Sequence, residues 1–162
     1  MNKIRFLLWL PIAVLVLWTA SLSFERSQGT FAEVRVEGFD PRDLLAGRYL
    51  RIQTDYGVKC DAYHSVAYVC PDGSGWRLAR SSKECQTFVK GKCYGKNSRF
   101  DDGIRRFYVS ENKAPPLESA LRDKNVNATL VISVLKDGRI FPVDLKINGV
   151  PWKEWKLVQG QE

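Results

Sequence analysis

The sequence predicts a mainly β (α+β) fold, in which an N-terminal transmembrane helix precedes a curled β-sheet or small barrel-like domain with one short helix. Three observations lead to this fold class. Residues 6–24 carry no charge and are nearly all apolar. Several later segments alternate polar and apolar residues with the period of a strand. Asp-Gly and Asn-Gly pairs, which favour hairpin turns, punctuate the last of these segments.

The apolar run from Phe6 to Phe24 is the first predicted element. As a helix its 19 residues extend about 28 Å, close to the hydrocarbon thickness of about 30 Å. Lys3 and Arg5 precede the run, and basic flanks favour the cytoplasmic side. We therefore expect residues 1–24 to be a signal-anchor helix that crosses the bacterial inner membrane once. Residues 25–162 would then form an exported domain on the periplasmic side. Cleavage near Ser21 as a signal peptide stays open.

The strands follow from short alternating runs. Residues 31–38 and 49–55 predict the first two strands, and Pro115 opens the short helix. The clearest hairpin joins residues 129–135 to residues 140–147 through Asp137-Gly138. Weaker alternation predicts further strands at residues 62–69, 76–79, 87–89 and 105–109. Asn148-Gly149 repeats the hairpin turn and leads into residues 150–152.

A helical turn is predicted between the first two strands. Asp40 can cap it, because its carboxylate accepts a hydrogen bond from a free backbone amide. Pro41 fits the first helical position, and Asp43 places negative charge at the positive end of the turn. Gly47 can adopt the left-handed conformation that ends a helix. Since these structural roles account for both carboxylates, and Arg42 can pair with either, we assign them no catalytic role.

The same stretch carries a resemblance. Residues 40–54 resemble the motif of the GDYXXLXY protein family, a group of membrane-anchored bacterial proteins of unassigned function, and residues 103–121 and 137–149 are similar to later parts of that family. The chain departs from the motif at Arg48, Ile52 and Thr54, where the family has an acidic residue, a leucine and a tyrosine. The resemblance implies a membrane anchor, an exported domain and a multi-spanning membrane protein as partner. The motif positions are Asp40, Pro41, Arg42, Asp43, Leu44, Gly47, Tyr49 and Ile52.

Four cysteines predict two disulfide bonds. None forms the close C-x2-C pair that zinc sites usually need, so a metal is disfavoured. An even number of cysteines outside the membrane fits structural disulfides. We favour sequential pairing because it closes the shortest loops, although the other two connectivities stay open. The cysteines are Cys60, Cys70, Cys85 and Cys93.

No convergent catalytic set is evident. His64 is the single histidine, and no nucleophile motif surrounds the nearby serines. The net charge of +7 comes from scattered basic residues without a recognised binding motif, which argues against a nucleic-acid partner. We expect no cofactor. Trp152 and Trp155 lie three residues apart and form the best candidate for an interaction patch.

The sequence therefore predicts a membrane-anchored envelope protein that is more consistent with a non-enzymatic accessory subunit of a membrane assembly than with an enzyme. Two alternatives stay open. One is an envelope ligand-binding protein, with Trp152 and Trp155 lining a cavity. The other is an envelope hydrolase that uses Asp40 or Asp43 together with His64.

Overall fold

The computed structural model describes residues 2–27, 29–38, 49–123 and 125–155. Within these ranges the chain is mainly β, with two α-helices and two short 3-10 turns. In chain order the elements are α1 (Asn2–Ser27), β1 (Thr30–Gly38), β2 (Tyr49–Asp55), β3 (Tyr63–Asp72), β4 (Gly75–Ala79), β5 (Val89–Tyr94), β6 (Arg106–Tyr108), α2 (Ala114–Arg122), β7 (Ala128–Val134), β8 (Ile140–Ile147) and β9 (Val150–Pro151).

A six-stranded antiparallel sheet has the strand order β6-β2-β1-β7-β8-β9. Alternate residues of its strands face the core, as the period of two requires. The sheet curls: Phe107 on edge strand β6 contacts Trp152, directly after the opposite edge strand β9, with ring centroids 6.2 Å apart. The expected curled, mainly β architecture is therefore observed. The fully buried side chains of this sheet include Val34, Leu50, Ile52, Leu130, Ile132, Leu145 and Ile147.

Helix α2 closes one side of this core. Pro115 and Pro116 lie in its first turn, where proline costs no hydrogen bond. Ala114, Leu117 and Ala120 are buried, and the helix packs against β1 and β2. This is the short helix that the sequence predicted.

A second, three-stranded antiparallel sheet has the order β4-β3-β5. The sequence placed a strand at residues 87–89, whereas β5 runs from Val89 to Tyr94 and includes Lys90, Gly91 and Lys92. Glycine and two lysines weaken the strand pattern, and tertiary pairing overrides it. Strand β3 also continues to Asp72 through Pro71. Proline is tolerated there because β5 pairs with β3 only as far as Val69.

Each disulfide joins a strand of this second sheet to a segment outside its strands, and the expected sequential pairing is wrong. Cys60 is bonded to Cys93, with Cα atoms 5.8 Å apart, and Cys70 is bonded to Cys85, with Cα atoms 6.1 Å apart. The reason is geometric. Most of the residues from Cys60 to Cys70 belong to extended strand β3, and a strand rises about 3.3 Å per residue. These two cysteines therefore lie too far apart to bond, and each pairs with a cysteine that the fold returns alongside β3.

The predicted transmembrane helix is also wrong. Residues 2–27 form the single helix α1, yet no helix in the described part of the chain is long and apolar enough to cross a membrane. The domain boundary at residue 24 stays a prediction.

Candidate functional site

A cleft of about 770 Å³ lies where the two sheets meet. Strand β5 and the neighbouring part of β3 form its floor. The loop at residues 101–105 forms one wall, and residues 138–141, at the β7–β8 turn, form the other. Ligand sites commonly have volumes of about 300–1,000 Å³, so the cleft is large enough for a small organic anion.

Backbone hydrogen bonds along β5 hold both walls in place. The amide of Lys92 donates to the carbonyl of Asp101 at 2.8 Å, and the amide of Asp101 donates back at 2.9 Å. The amide of Lys90 donates to the carbonyl of Gly138 at 2.9 Å. One edge of a single strand therefore binds the loop at residues 101–105 and the turn of the larger sheet.

Two glycines allow this close approach. A Cβ atom on Gly91 would lie 2.3 Å from the carbonyl oxygen of Asp101 and 2.5 Å from the ring of Phe100. A Cβ atom on Gly138, which has a φ of +81°, would lie 2.4 Å from the ring of Phe88. Any side chain at either position would push a wall of the cleft away from β5.

A β-bulge opens the floor of the cleft. His64 pairs with Cys93 and Ala67 pairs with Gly91, so Ser65 and Val66 together face the single residue between those partners, Lys92. Bulges redirect side chains and are common beside functional sites. Here the bulge places both residues in the lining of the cleft.

The side chains around the cleft are mainly basic. Arg105 pairs with Asp101, and Arg139 pairs with Asp137. Lys90 and Lys92 are exposed on the same face of β5, and within the described residues neither ammonium lies at ion-pair distance from a carboxylate. The two lysines therefore leave an uncompensated positive charge in the cleft.

A buried polar cluster supports the wall behind these lysines. The hydroxyl of Tyr56 donates to a carboxylate oxygen of Asp102 at 2.8 Å, and the amide of Ile104 donates to the other oxygen at 2.8 Å. The side chain of Thr54 also hydrogen-bonds to Asp102. Thr54 and Tyr56 are only 2% and 5% exposed, because they continue the inward-facing row of β2.

The pKa values of the two neighbouring carboxyl groups shift in opposite directions, although burial favours a higher pKa at both. Desolvation raises the pKa of Asp102, although hydrogen bonds from Ile104, Tyr56 and Thr54 act against it. Desolvation also raises the pKa of Tyr56, and the adjacent Asp102 carboxylate raises it further. At Asp101, partial burial favours a higher pKa, but hydrogen bonds from Arg105 and Gly103 outweigh it and lower the pKa. Asp101 therefore stays ionised more readily than Asp102.

The described residues do not form a hydrolytic centre around His64. Its ring nitrogen lies 2.9 Å from a carboxylate oxygen of Asp61, which lowers the pKa of that exposed carboxyl group. No hydroxyl group in the described part of the chain hydrogen-bonds to this ring. The described residues also contain no cluster of three histidine, cysteine or carboxylate side chains that could hold a metal ion.

Most of the predicted motif residues, Asp40, Pro41, Arg42, Asp43, Leu44 and Gly47, lie outside the described residues. The other two lie on opposite faces of β2. Ile52 is 2% exposed and faces the core. Tyr49 faces outward, stacks under the guanidinium of Arg106 at 4.6 Å, and packs edge-on against Tyr108. Tyr49 and Ile52 therefore do not belong to one site.

Trp152 and Trp155 both remain half-buried and pack against the core. Trp152 contacts Phe107, and the Lys153 ammonium lies 6.0 Å from its ring centre. Neither tryptophan lines the basic cleft. Their proposed role as an interaction patch stays a prediction.

Sequence reasoning missed the cleft because its parts come from four separate segments of the chain. One usable signal was present: the alternation of β2 continues past Asp55 and places polar Thr54 and Tyr56 on the inward face. Two inward polar residues require buried partners. The pattern alone could not identify Asp102 as that partner.

Comparison with known proteins gives one positive result. The GDYXXLXY protein family model matches residues 11–145, which include all four segments that line the cleft. The chain matches no curated protein and no solved structure. Because the family match covers most of the sequence, the chain belongs to the GDYXXLXY protein family.

Proposed function

We propose that this protein is a non-enzymatic accessory subunit of a membrane assembly in the bacterial cell envelope. Its β-rich domain lies on the periplasmic side of the inner membrane, and α1 contacts an integral membrane protein of the assembly. The observation that carries the proposal is the exposed apolar surface of α1.

Apolar side chains are exposed all round this helix. Trp9, Leu17, Trp18 and Phe24 are 67%, 71%, 65% and 66% exposed. A helix that is apolar on every side is normally buried, and a large exposed apolar surface marks a contact with protein or lipid. Helix α1 therefore fits an apolar partner surface.

The two disulfides support a periplasmic location of the β-rich domain. Structural disulfides persist in oxidising compartments such as the periplasm and are rare in the cytosol. Cys60–Cys93 and Cys70–Cys85 use all four cysteines. Thiol trapping in intact cells tests this step: both bonds are expected to be formed, and four free thiols would contradict a periplasmic domain.

Site-specific photo-crosslinking tests the role of α1. A photoreactive amino acid at Leu17 is expected to capture an integral membrane protein in cells. The matched control carries the same group at Tyr108, which is 68% exposed on the edge strand β6 and is expected not to capture that protein. The proposal fails if Leu17 captures only lipid or nothing, or if both positions capture the same proteins equally.

A further inference from the structure

We infer that the cleft between the two sheets is a binding site for a phosphate-bearing anion, with Lys90 and Lys92 as its principal contacts. This inference goes beyond the proposed accessory role and does not depend on α1. Three structural observations carry it: the charge of the cleft, the shape of its floor and the fixed position of its walls.

The spacing of the lysines favours an anion with more than one charged group. Lys90 and Lys92 are two residues apart on one face of β5, which places their Cα atoms about 7 Å apart. Because no carboxylate of the described residues pairs with either ammonium, the two positive charges repel each other. A ligand with two or more phosphate groups would relieve this repulsion and gain charge-assisted hydrogen bonds.

The two arginines beside the cleft contribute less to anion binding than the lysines do. Asp101 and Asp137 already hold Arg105 and Arg139 at the rim of the cleft. Each of these ion pairs is largely neutral, so the arginines orient a ligand less strongly than the free lysines attract it. A cationic ligand is disfavoured because the lysine and arginine side chains that line the cleft outnumber its carboxyl groups, and Asp101 is paired with Arg105.

The floor of the cleft is shaped to admit a ligand. The bulge places Ser65 and Val66 opposite Lys92, and both residues line the cleft. Val66 is 44% exposed and Tyr94 is 61% exposed, so hydroxyl, aliphatic and aromatic surfaces adjoin the charges. These surfaces suit the organic part of a phosphate ester, which can be a soluble ester or the headgroup of an anionic lipid.

The walls are fixed before a ligand arrives. Backbone hydrogen bonds link β5 to Asp101 and to Gly138, and the Cys60–Cys93 disulfide constrains the end of β5. Binding therefore needs little ordering of the backbone, which reduces the entropic cost of association.

Titration calorimetry of the full chain in detergent, with sodium tripolyphosphate as the probe, tests the site. Wild type is expected to bind, and binding is expected to weaken as salt concentration rises. The double variant Lys90→Gln, Lys92→Gln removes two charge-assisted contacts and is expected to bind about 100-fold more weakly, about tenfold for each contact. The matched control Lys83→Gln, Lys153→Gln removes the same charge at two other surface positions and is expected to bind like wild type.

A variant with unchanged net charge tests whether binding depends on the cleft itself or only on the overall charge of the protein. Val66→Trp fills the opening beside Lys92 without changing the net charge, and it is expected to weaken binding at least tenfold. This variant also decides the question if the lysine double variant does not fold. The inference is overturned if wild type does not bind tripolyphosphate or phosphatidylglycerol vesicles, if the lysine or Val66 variant binds as tightly as wild type, or if the control variant loses as much affinity.

Vesicles distinguish the two sources of phosphate. Helix α1 contributes apolar binding to any vesicle, so the informative quantity is the difference between phosphatidylglycerol and phosphatidylcholine vesicles. A lipid headgroup predicts that this difference disappears in the lysine double variant, whereas a soluble ester predicts tripolyphosphate binding without any such difference. Crosslinking from Leu17 does not involve the lysines, so failure of this site and failure of the proposed accessory role give different results.

Discussion

At the scale of single residues, hydrogen bonds offset the cost of burying the carboxyl group of Asp102. Burial of a carboxyl group without partners would be strongly unfavourable. Here Tyr56, Thr54 and Ile104 all hydrogen-bond to it. The loop that bears Asp102 is thereby attached to the inward face of β2, and the wall of the cleft gains its position from this attachment.

The hydroxyl group of Tyr56 should stabilise the fold. Tyr56→Phe keeps the ring contacts with Trp76 and Phe100, whose centroids are 5.0 and 5.3 Å away, but removes the donor to Asp102. We expect the free energy of unfolding to fall by about 1–3 kcal/mol at pH 7. Urea denaturation measures this loss. The matched control is Tyr63→Phe, at a tyrosine that is 67% exposed, where we expect almost no change.

Asp102 should also make the fold less stable as pH rises. The pKa of Asp102 is raised above its ordinary value of 3.8, so between pH 3.8 and that raised pKa the folded state binds more protons than the unfolded state. Its contribution to stability is therefore greatest below pH 3.8 and falls as pH rises through the folded pKa. Asp102→Asn cannot ionise, so we expect its stability to decline less than that of wild type between pH 3.5 and pH 7. Urea denaturation at both pH values measures this difference, and equal declines would contradict the assignment.

At the scale of elements, β5 and the two disulfides around the second sheet organise the site. Cys60–Cys93 fixes one end of β5 alongside β3, and Cys70–Cys85 fixes the return from β4 to β3. The sequence correctly indicated that four cysteines form two bridges. It could not give the pairing, because loop length favours neighbouring cysteines whereas the extended geometry of β3 separates them.

Each disulfide should contribute about 3 kcal/mol. The Cys70–Cys85 bond closes a separation of 15 residues, and it is nested inside the Cys60–Cys93 bond, which closes a separation of 33. In the chain-entropy model, replacement of either pair by alanine should therefore lower the free energy of unfolding by about 3 kcal/mol. Guanidinium denaturation measures the two losses, and peptide mapping of the unreduced protein should recover only these two linkages.

A side chain at Gly91 should disturb the contact between β5 and the loop at residues 101–105. Gly91→Ala would force the added methyl group against the Asp101 carbonyl and the Phe100 ring, so we expect a loss of about 1–3 kcal/mol and weaker tripolyphosphate binding. Gly75→Ala in β4 is the control, because its nearest neighbour lies 3.9 Å away. Thermal unfolding and calorimetry measure the two effects. Equal stability of both variants would show that the loop at residues 101–105 does not press against β5.

At the scale of the whole molecule, the order of strands was the part hardest to predict. Local patterns indicated β1, β2, the β7–β8 hairpin and α2, because alternation, turn residues and proline position act over a few residues. They did not indicate that β1 lies between β2 and β7, or that β5 joins the two sheets. Those pairings depend on contacts between segments far apart in sequence. The length of the apolar N-terminal run also predicted that α1 spans a membrane, and that prediction was wrong for the described part of the chain.

The curl of the larger sheet should be measurable as an energetic coupling between its two edges. Phe107 lies on β6 and Trp152 directly follows β9, and their rings meet edge to face. A double-mutant cycle with Phe107→Ala and Trp152→Ala is expected to give a coupling energy of about 0.5–1.5 kcal/mol, the usual range for an aromatic pair. A cycle of Phe31→Ala with Trp152→Ala is the control and should give no coupling, since Phe31 is 65% exposed. An uncoupled Phe107–Trp152 pair would mean that the edges do not hold each other, and the curl would then depend only on strand twist and on the packing of α2.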